Sequence, residues 1–295
     1  MQRPLLLNWL QWRHDRPSKY LRSFRINFNQ WAAWNFDGDL QFQGGNINAH
    51  AVLANNWSTG FGFNVEGTGF NDRLTRGGPG GRDPGSRTLW GYLNTDPRKP
   101  VSGDAFLGHG ADDFGSYFFD VNPQLTLRPT SALSASIGVG VSRNVNDSQW
   151  IENLTEPGQH YVFGRLEQTT VSLTTRVNYT ASPTLSIQLY AQPFVSAGAY
   201  RGFKELVAGR ASRYADRYAP FAYDGDPDFN YRSFRTTNVL RWEYKPGSTL
   251  FIVWQQSRED ETGFGRFRFG RDLGDVFRAP SSNVFLVKLS YWLNY

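Results

Sequence analysis

From Leu133 to Val141 every second residue is apolar: Leu133, Ala135, Ile137, Val139 and Val141 alternate with Ser134, Ser136, Gly138 and Gly140. The same beat returns at Val171, Leu173, Thr175, Val177 and Tyr179, set against Ser172, Thr174, Arg176 and Asn178. Leu185, Ile187, Leu189 and Ala191 oppose Ser186, Gln188, Tyr190 and Gln192. Earlier, Tyr117, Phe119, Val121, Leu125 and Leu127 oppose Asp120, Asn122, Gln124 and Thr126. Successive side chains of a strand point to opposite faces, so each segment is a strand with one apolar and one largely polar wall.

A soluble β-sandwich produces the same alternation. Three features favour a membrane barrel instead. The polar wall is built of Gly, Ser and Thr, where a solvated sandwich face is richer in Lys and Glu. Aromatic residues gather towards strand ends, as at Phe24, Phe28 and Trp31 or Trp242 and Tyr244, which suits interfacial girdles. The links also tend to alternate between short and long. Turn-forming Pro, Gly and Asn mark short links at Arg16–Lys19, Asn55–Trp57, Asp96–Pro100, Arg128–Ser131, Ala181–Thr184 and Lys245–Ser248. Longer links are expected at Asn71–Ser86, Asn146–Gln159, Ala199–Arg232 and Arg258–Ser281. The pattern predicts strands near 5–15, 20–36, 40–54, 58–70, 87–95, 101–110, 116–127, 132–146, 160–180, 184–198, 233–244, 249–258 and 282–294. The expected fold is all-β: an antiparallel transmembrane β-barrel of about 12–14 strands, with short links periplasmic and long ones external. Two outer links, near Asp37–Asp39 and Ala111–Gly115, are short and break that contrast. Thirteen is an odd count. Either a strand precedes Leu5, so that the barrel is incomplete here, or the 5–15 segment stands outside the wall.

Composition sharpens this picture. Aromatic residues make up 16% of the 295, with Trp 10, Tyr 14 and Phe 23. Mean hydropathy is nevertheless −0.51, as expected when apolar residues are spaced singly between polar ones. The chain has no Cys, which excludes a disulfide scaffold and Cys-ligated zinc. The net charge is +5, but 31 basic residues are scattered among 26 acids, so no basic stripe for nucleic acid emerges. No window holds 18 consecutive apolar residues, so no transmembrane helix is expected. The start, Met1–Trp9, lacks the apolar core and cleavage site of an export signal. The chain is expected to be one barrel domain, 1–295, cut from a longer precursor.

The chain closes on Phe285, Val287, Leu289, Tyr291, Leu293 and Tyr295 along one face, against Lys288, Ser290 and Asn294 on the other, with Trp292 the exception. Of these, Val287, Leu289, Tyr291, Leu293 and Tyr295 resemble the terminal signal read by the barrel assembly machinery of the outer membrane. Further stretches, among them Asp72–Pro79, Asp96–Ser102, Tyr161–Phe163, Leu189–Phe194, Gly202–Leu206, Asp228–Ser233, Leu240–Tyr244 and Asn283–Leu293, carry a family likeness. They resemble the C-terminal barrel of the family labelled domain of unknown function 5916. Its members commonly place a family-nine-like carbohydrate-binding module ahead of the barrel, and no such module stands in this chain. The resemblance implies an outer-membrane barrel and supplies no catalytic residues.

Charges facing lipid are unfavourable by about 2–4 kcal/mol for Lys or Arg at mid-depth. Arg25, His50, Glu66, Asp120, Arg176, Arg241, Glu243 and Lys288 are therefore expected to line the lumen, either pairing to fill it or bordering an aqueous path. Asp224, Asp226 and Asp228 alternate in an external loop and match either part of a calcium site or an ordinary acidic turn. Asp112–Asp113 is a weaker version of the same signal. His14, His50, His109 and His160 have no Ser in a recognisable local motif, and Gly77–Gly81 leads into no predicted helix, so neither hydrolysis nor a phosphate loop is expected. No cofactor is expected. The functions in view are a pore for small solutes such as saccharides, or a non-conducting barrel anchoring a binding module. The expected surroundings are bacterial outer-membrane lipid and lipopolysaccharide.

Overall fold

The computed structural model describes residues 5–293. Among the described residues sixteen strands form: β1 (Leu5–His14), β2 (Leu21–Trp34), β3 (Leu40–Leu53), β4 (Ser58–Glu66), β5 (Gly69–Asn71), β6 (Gly81–Asp83), β7 (Ser86–Asn94), β8 (Val101–Asp112), β9 (Tyr117–Thr130), β10 (Leu133–Leu154), β11 (His160–Ser182), β12 (Leu185–Leu206), β13 (Tyr218–Pro220), β14 (Phe229–Lys245), β15 (Ser248–Thr262) and β16 (Ser281–Ser290). One helix, α1 (Phe269–Arg278), lies between β15 and β16. The main sheet is an antiparallel meander in the order β1-β2-β3-β4-β7-β8-β9-β10-β11-β12-β14-β15-β16, and β5 and β6 form a separate small ribbon.

The wall strands overlap the thirteen spans expected from the alternation, though the span expected at 58–70 stops at Glu66 and Gly69–Asn71 joins the separate ribbon. β1 pairs with β2 along its whole length, so the first segment stands in the wall. Several strands outrun their apolar stretch. β10 continues to Leu154, and β12 runs to Leu206, so the links expected at Asn146–Gln159 and Ala199–Arg232 shrink to 155–159 and 207–228. Backbone pairing persists there because it needs only a partner, whereas the apolar beat needs an apolar neighbour. The last strand, expected to reach residue 294, ends at Ser290. Its partner β15 begins at Ser248, where the Pro246–Gly247 turn stops the ladder. Gly247 sits at φ +75°, a conformation glycine adopts without strain. Tyr291 and Leu293 lie beyond that strand, and Tyr295 falls outside the described residues.

Links at 15–20, 54–57, 95–100, 131–132, 183–184 and 246–247 gather at one end of the sheet, the turn end. Those at 35–39, 67–85, 113–116, 155–159, 207–228 and 263–280 gather at the other, the loop end. The sheet is rolled. β3 and β12 are seven strand spacings apart, about 34 Å if flat. Yet Arg210, four residues past β12, makes two 2.8 Å bonds to the carboxylate of Asp39, just before β3. Four residues reach at most about 14 Å, so only curvature brings these ends together.

The expected closure is not made by hydrogen bonds. The strand path begins at β1 and ends at β16, and these two do not pair among the described residues. With thirteen strands in the path, β1 and β16 both run from the loop end to the turn end, so they cannot close as an antiparallel pair.

Register assigns every wall side chain to a face. One face carries Phe24, Ile26 and Phe28 of β2, Phe61 and Phe63 of β4, and Leu107 of β8. It continues through Val121 and Leu125 of β9, Ile137 and Val139 of β10, Val177 of β11, and Leu189 of β12. Leu240, Ile252 and Val287 complete it. No Asp, Glu, Lys or Arg interrupts it between the turn end and a border of Arg87, Arg143, Glu167, Arg201, Arg232 and Arg258 near the loop end. These apolar side chains are uncovered: Phe61 is 64% exposed, Leu107 52% and Val287 70%.

Candidate functional site

The opposite, polar face lies inside the curl, since the 67–85 and 207–228 links fold over it. All eight charged residues expected in the lumen fall on this face by register. They do not form one site. Arg25 stands directly across from His50 near the turn end, where Arg241, Glu243 and Lys288 also lie. Arg176 is at mid-height, its guanidinium 5.0 Å from the ring centre of Tyr190. Glu66 and Asp120 are towards the loop end, where Ser86 donates to Glu66 at 3.5 Å. Arg241 pairs with Glu243 at 3.3 Å. The turn-end belt is therefore net positive and the loop-end pair negative.

Between the charges runs an amide ladder. Gln11 and Asn48 both meet Asn27 at 2.7 Å, Asn29 donates to Asn46 at 2.6 Å, and Asn48 donates to Asn46 at 3.0 Å. His50 joins it, with Nε2 3.0 Å from Asn48 and Nδ1 2.9 Å from the Tyr92 hydroxyl. The Trp90 and Tyr92 rings stack within 8° of parallel beside it. Gly60 and Gly62 make room for them: a Cβ on Gly62 would meet Trp90 at 2.4 Å, and one on Gly60 would meet Tyr92 at 2.5 Å. The small residues of the polar wall are thus seats for neighbouring rings. A cavity of about 250 Å³ opens here among Arg25, His50, Tyr92 and Ser58.

At the loop end the polar face is roofed by the 207–228 link and the 67–85 link. Arg217, 2% exposed, ties the roof: its guanidinium donates to the carbonyls of Arg82 and Ala211 at 2.8 Å and of Ser212 at 3.1 Å. It also lies 4.9 Å from the centre of Phe114. Tyr214 stacks on Phe114 with centroids 4.1 Å apart and bonds to Asp147 and, at 2.5 Å, to Ser148. Lys204 reaches both Asp147, at 2.7 Å, and Tyr214, at 2.6 Å. Burial pushes the Asp147 carboxyl up, but Lys204, Tyr214 and Arg165 outweigh it, so the group stays ionised below the usual carboxylate range. Burial and the Asp147 charge raise the Tyr214 phenol in turn.

Beneath this roof lies a cavity of about 420 Å³, floored by Ser86, Thr88, Asn144 and Asn146 and covered by Asp83, Tyr214 and Tyr218. Burial pushes the Asp83 carboxyl up against the opposing pull of Asn71 and Arg217. The sequence reading missed this roof, because Arg217, Tyr214 and Lys204 belong to no periodic segment. It also missed α1, although Phe269, Leu273, Val276 and Phe277 carry a helical spacing that marks it.

The acidic loop does not assemble a cation site. Asp228 accepts from the Tyr200 amide at 2.6 Å and Asp226 from the Asp228 amide at 3.3 Å. No group of three acid or histidine side chains suited to a metal occurs among the described residues. His160 pairs with Glu205 at 2.5 Å, His109 meets the Phe118 carbonyl on the apolar side at 2.8 Å, and His14 stacks near Trp12. No histidine has a hydrogen-bonded Ser partner among the described residues.

A rolled antiparallel meander with a bare apolar exterior and a hydrogen-bonded polar interior defines the class. The chain belongs to the family described as a domain of unknown function, DUF5916, which it matches over residues 6–295. No curated protein matches it. Among solved structures the NanC porin is similar at 11% identity, over 86% of this chain and 94% of that one, with a TM-score of 0.31. A likeness that distant carries no argument.

Proposed function

We infer that this chain is the wall of a bacterial outer-membrane β-barrel that admits small polar solutes along its inner face, past a roof that narrows its outer mouth. One observation carries this reading: the charge-free, uncovered apolar band that crosses all thirteen wall strands on one face only. In water such a surface is far larger than the exposed patches of soluble monomers. In lipid it is what a spanning sheet requires, with the backbone paired strand to strand. Leu133 to Val141 extends about 27 Å along β10, which spans about 20 Å of lipid at ordinary barrel tilt. The Arg, Glu and Asp of the inner face then meet water or each other.

Solutes such as saccharides suit this interior, where amides and hydroxyls stand beside flat rings at Trp90 and Tyr92. Lipid, lipopolysaccharide and the barrel assembly machinery are its partners; nucleic acid, cofactor and catalysis have no part in the proposal. A second reading, a non-conducting barrel that holds a binding module, draws on the roof, because Arg217 fastens it from a buried position. Single-channel recording of the protein in planar bilayers separates the two. Reproducible conductance steps support the pore. Silence across many verified insertions favours the anchor.

A further inference from the structure

The 263–280 link does not join the roof over the polar face. It folds outward, onto the apolar side. α1 packs on β14, β12 and β15, and Phe277 meets Phe234, an apolar-face residue, with ring centroids 5.2 Å apart. Asp275 and Asp260 bond Arg232 at 2.8 and 2.7 Å, and buried Asp272 bonds Asn230 at 3.2 Å, so the segment is fixed to the wall. It sits at the charged border, one step beyond the apolar band.

Two things about this border call for a ligand. Phe264, Phe269 and Phe277 are 48%, 58% and 51% exposed on this segment at the edge of the band. The same segment borders a cleft of about 680 Å³, lined by Phe267, that gathers four arginines, Arg143, Arg201, Arg266 and Arg268, against two carboxylates, Glu167 and Asp228. Glu167 is already bonded to Arg143, at 2.8 Å, and to Arg201. Asp228 is engaged by the Tyr200 amide. The side chains of Arg266 and Arg268 have no acidic partner among the described residues, and both are exposed.

We propose that this cleft and the α1 segment hold the phosphorylated headgroup of an outer-leaflet lipid, resting on the reading that the apolar band sits in the outer membrane. Arg266 and Arg268 donate to phosphate oxygens, since the planar guanidinium suits bidentate phosphate contact. The three phenyl rings reach the acyl boundary below, as aromatic residues do at barrel girdles. Glu167 keeps Arg143 and Arg201 in place at the cleft floor. A soluble anion would use the arginines and leave the rings bare; a lipid uses both.

The test is retention of lipid A by the purified full chain in dodecyl maltoside micelles, read by native mass spectrometry. Inorganic phosphate serves as the competitor, and insertion into phosphatidylcholine vesicles is measured in parallel. The wild type is expected to retain the diphosphorylated lipid. Arg266→Gln with Arg268→Gln is expected to weaken retention by about tenfold or more. Arg213→Gln, on the roof, leaves it unchanged. Equal retention by the double variant, or full displacement by millimolar phosphate, overturns the assignment while the membrane reading stands. Failure to insert into vesicles overturns the membrane reading and the lipid site with it.

Discussion

Replacing Arg217 with Ala should loosen the roof while leaving the wall intact. The wild-type guanidinium donates to three carbonyls drawn from both covering links. Hydrogen bonds to a charged group contribute about 1.5–3 kcal/mol each and do not add fully. Burial opposes them by disfavouring the charged guanidinium, which lowers its pKa. A net loss of about 3 kcal/mol follows, or about a hundredfold rise in the open population of the roof. Hydrogen exchange reads this directly. The amides of Val207 and Ala208 both donate to the Arg217 carbonyl, and that of Arg82 donates to Gly209. These should exchange about a hundredfold faster in the variant, while amides of the β10–β11 ladder keep their protection. Arg217→Lys should fall between the two, since an ammonium keeps the charge but cannot span three carbonyls with one planar fork. Unchanged exchange over 207–221 in the Ala variant would refute the claim that Arg217 fastens the roof.

Other consequences are tested by assembly and cross-linking. Leu289→Asp places a carboxylate on the apolar face and should abolish assembly into membranes, read by heat-modifiable mobility; Ser290→Asp, on the opposite face, should assemble. Equal behaviour would remove the facing assigned to β16. Because β1 and β16 do not pair among the described residues, Leu10→Cys combined with Phe285→Cys, Val287→Cys or Leu289→Cys should form no disulfide in the assembled protein. An efficient bridge would show that the two edges meet directly.

The wall was legible because it obeys one rule. Alternation at Leu133–Val141 or Val171–Tyr179 marks one apolar and one polar face, and short Pro- and Gly-bearing turns such as Pro246–Gly247 mark where one strand gives way to the next. The eight charged residues were assigned to the polar wall because a charge facing lipid is unfavourable. The roof was illegible for the opposite reason. Arg217 touches Arg82 from 135 positions away, and Arg210 meets Asp39 from 171, so no local window holds both partners. Strand ends beyond the apolar band, as at Asn146–Leu154, were lost because pairing there leaves no hydropathy signal. The polar face also proved richer in rings than expected, since Trp90 and Tyr92 sit over glycines of a neighbouring strand. α1 was masked by Gly270 and Gly274, residues that argue against a helix, although its apolar spacing was present.

On the proposed reading one face of the sheet meets lipid and the other meets water. The absence of native cysteine allows a clean single-cysteine scan of β11 from Val171 to Tyr179, each site carrying a fluorophore in vesicles that contain nitroxide-labelled lipid. A period of two is expected: strong quenching at Val171, Leu173, Thr175, Val177 and Tyr179, and weak quenching at Ser172, Thr174, Arg176 and Asn178. A flat profile, or one with the opposite phase, would contradict it.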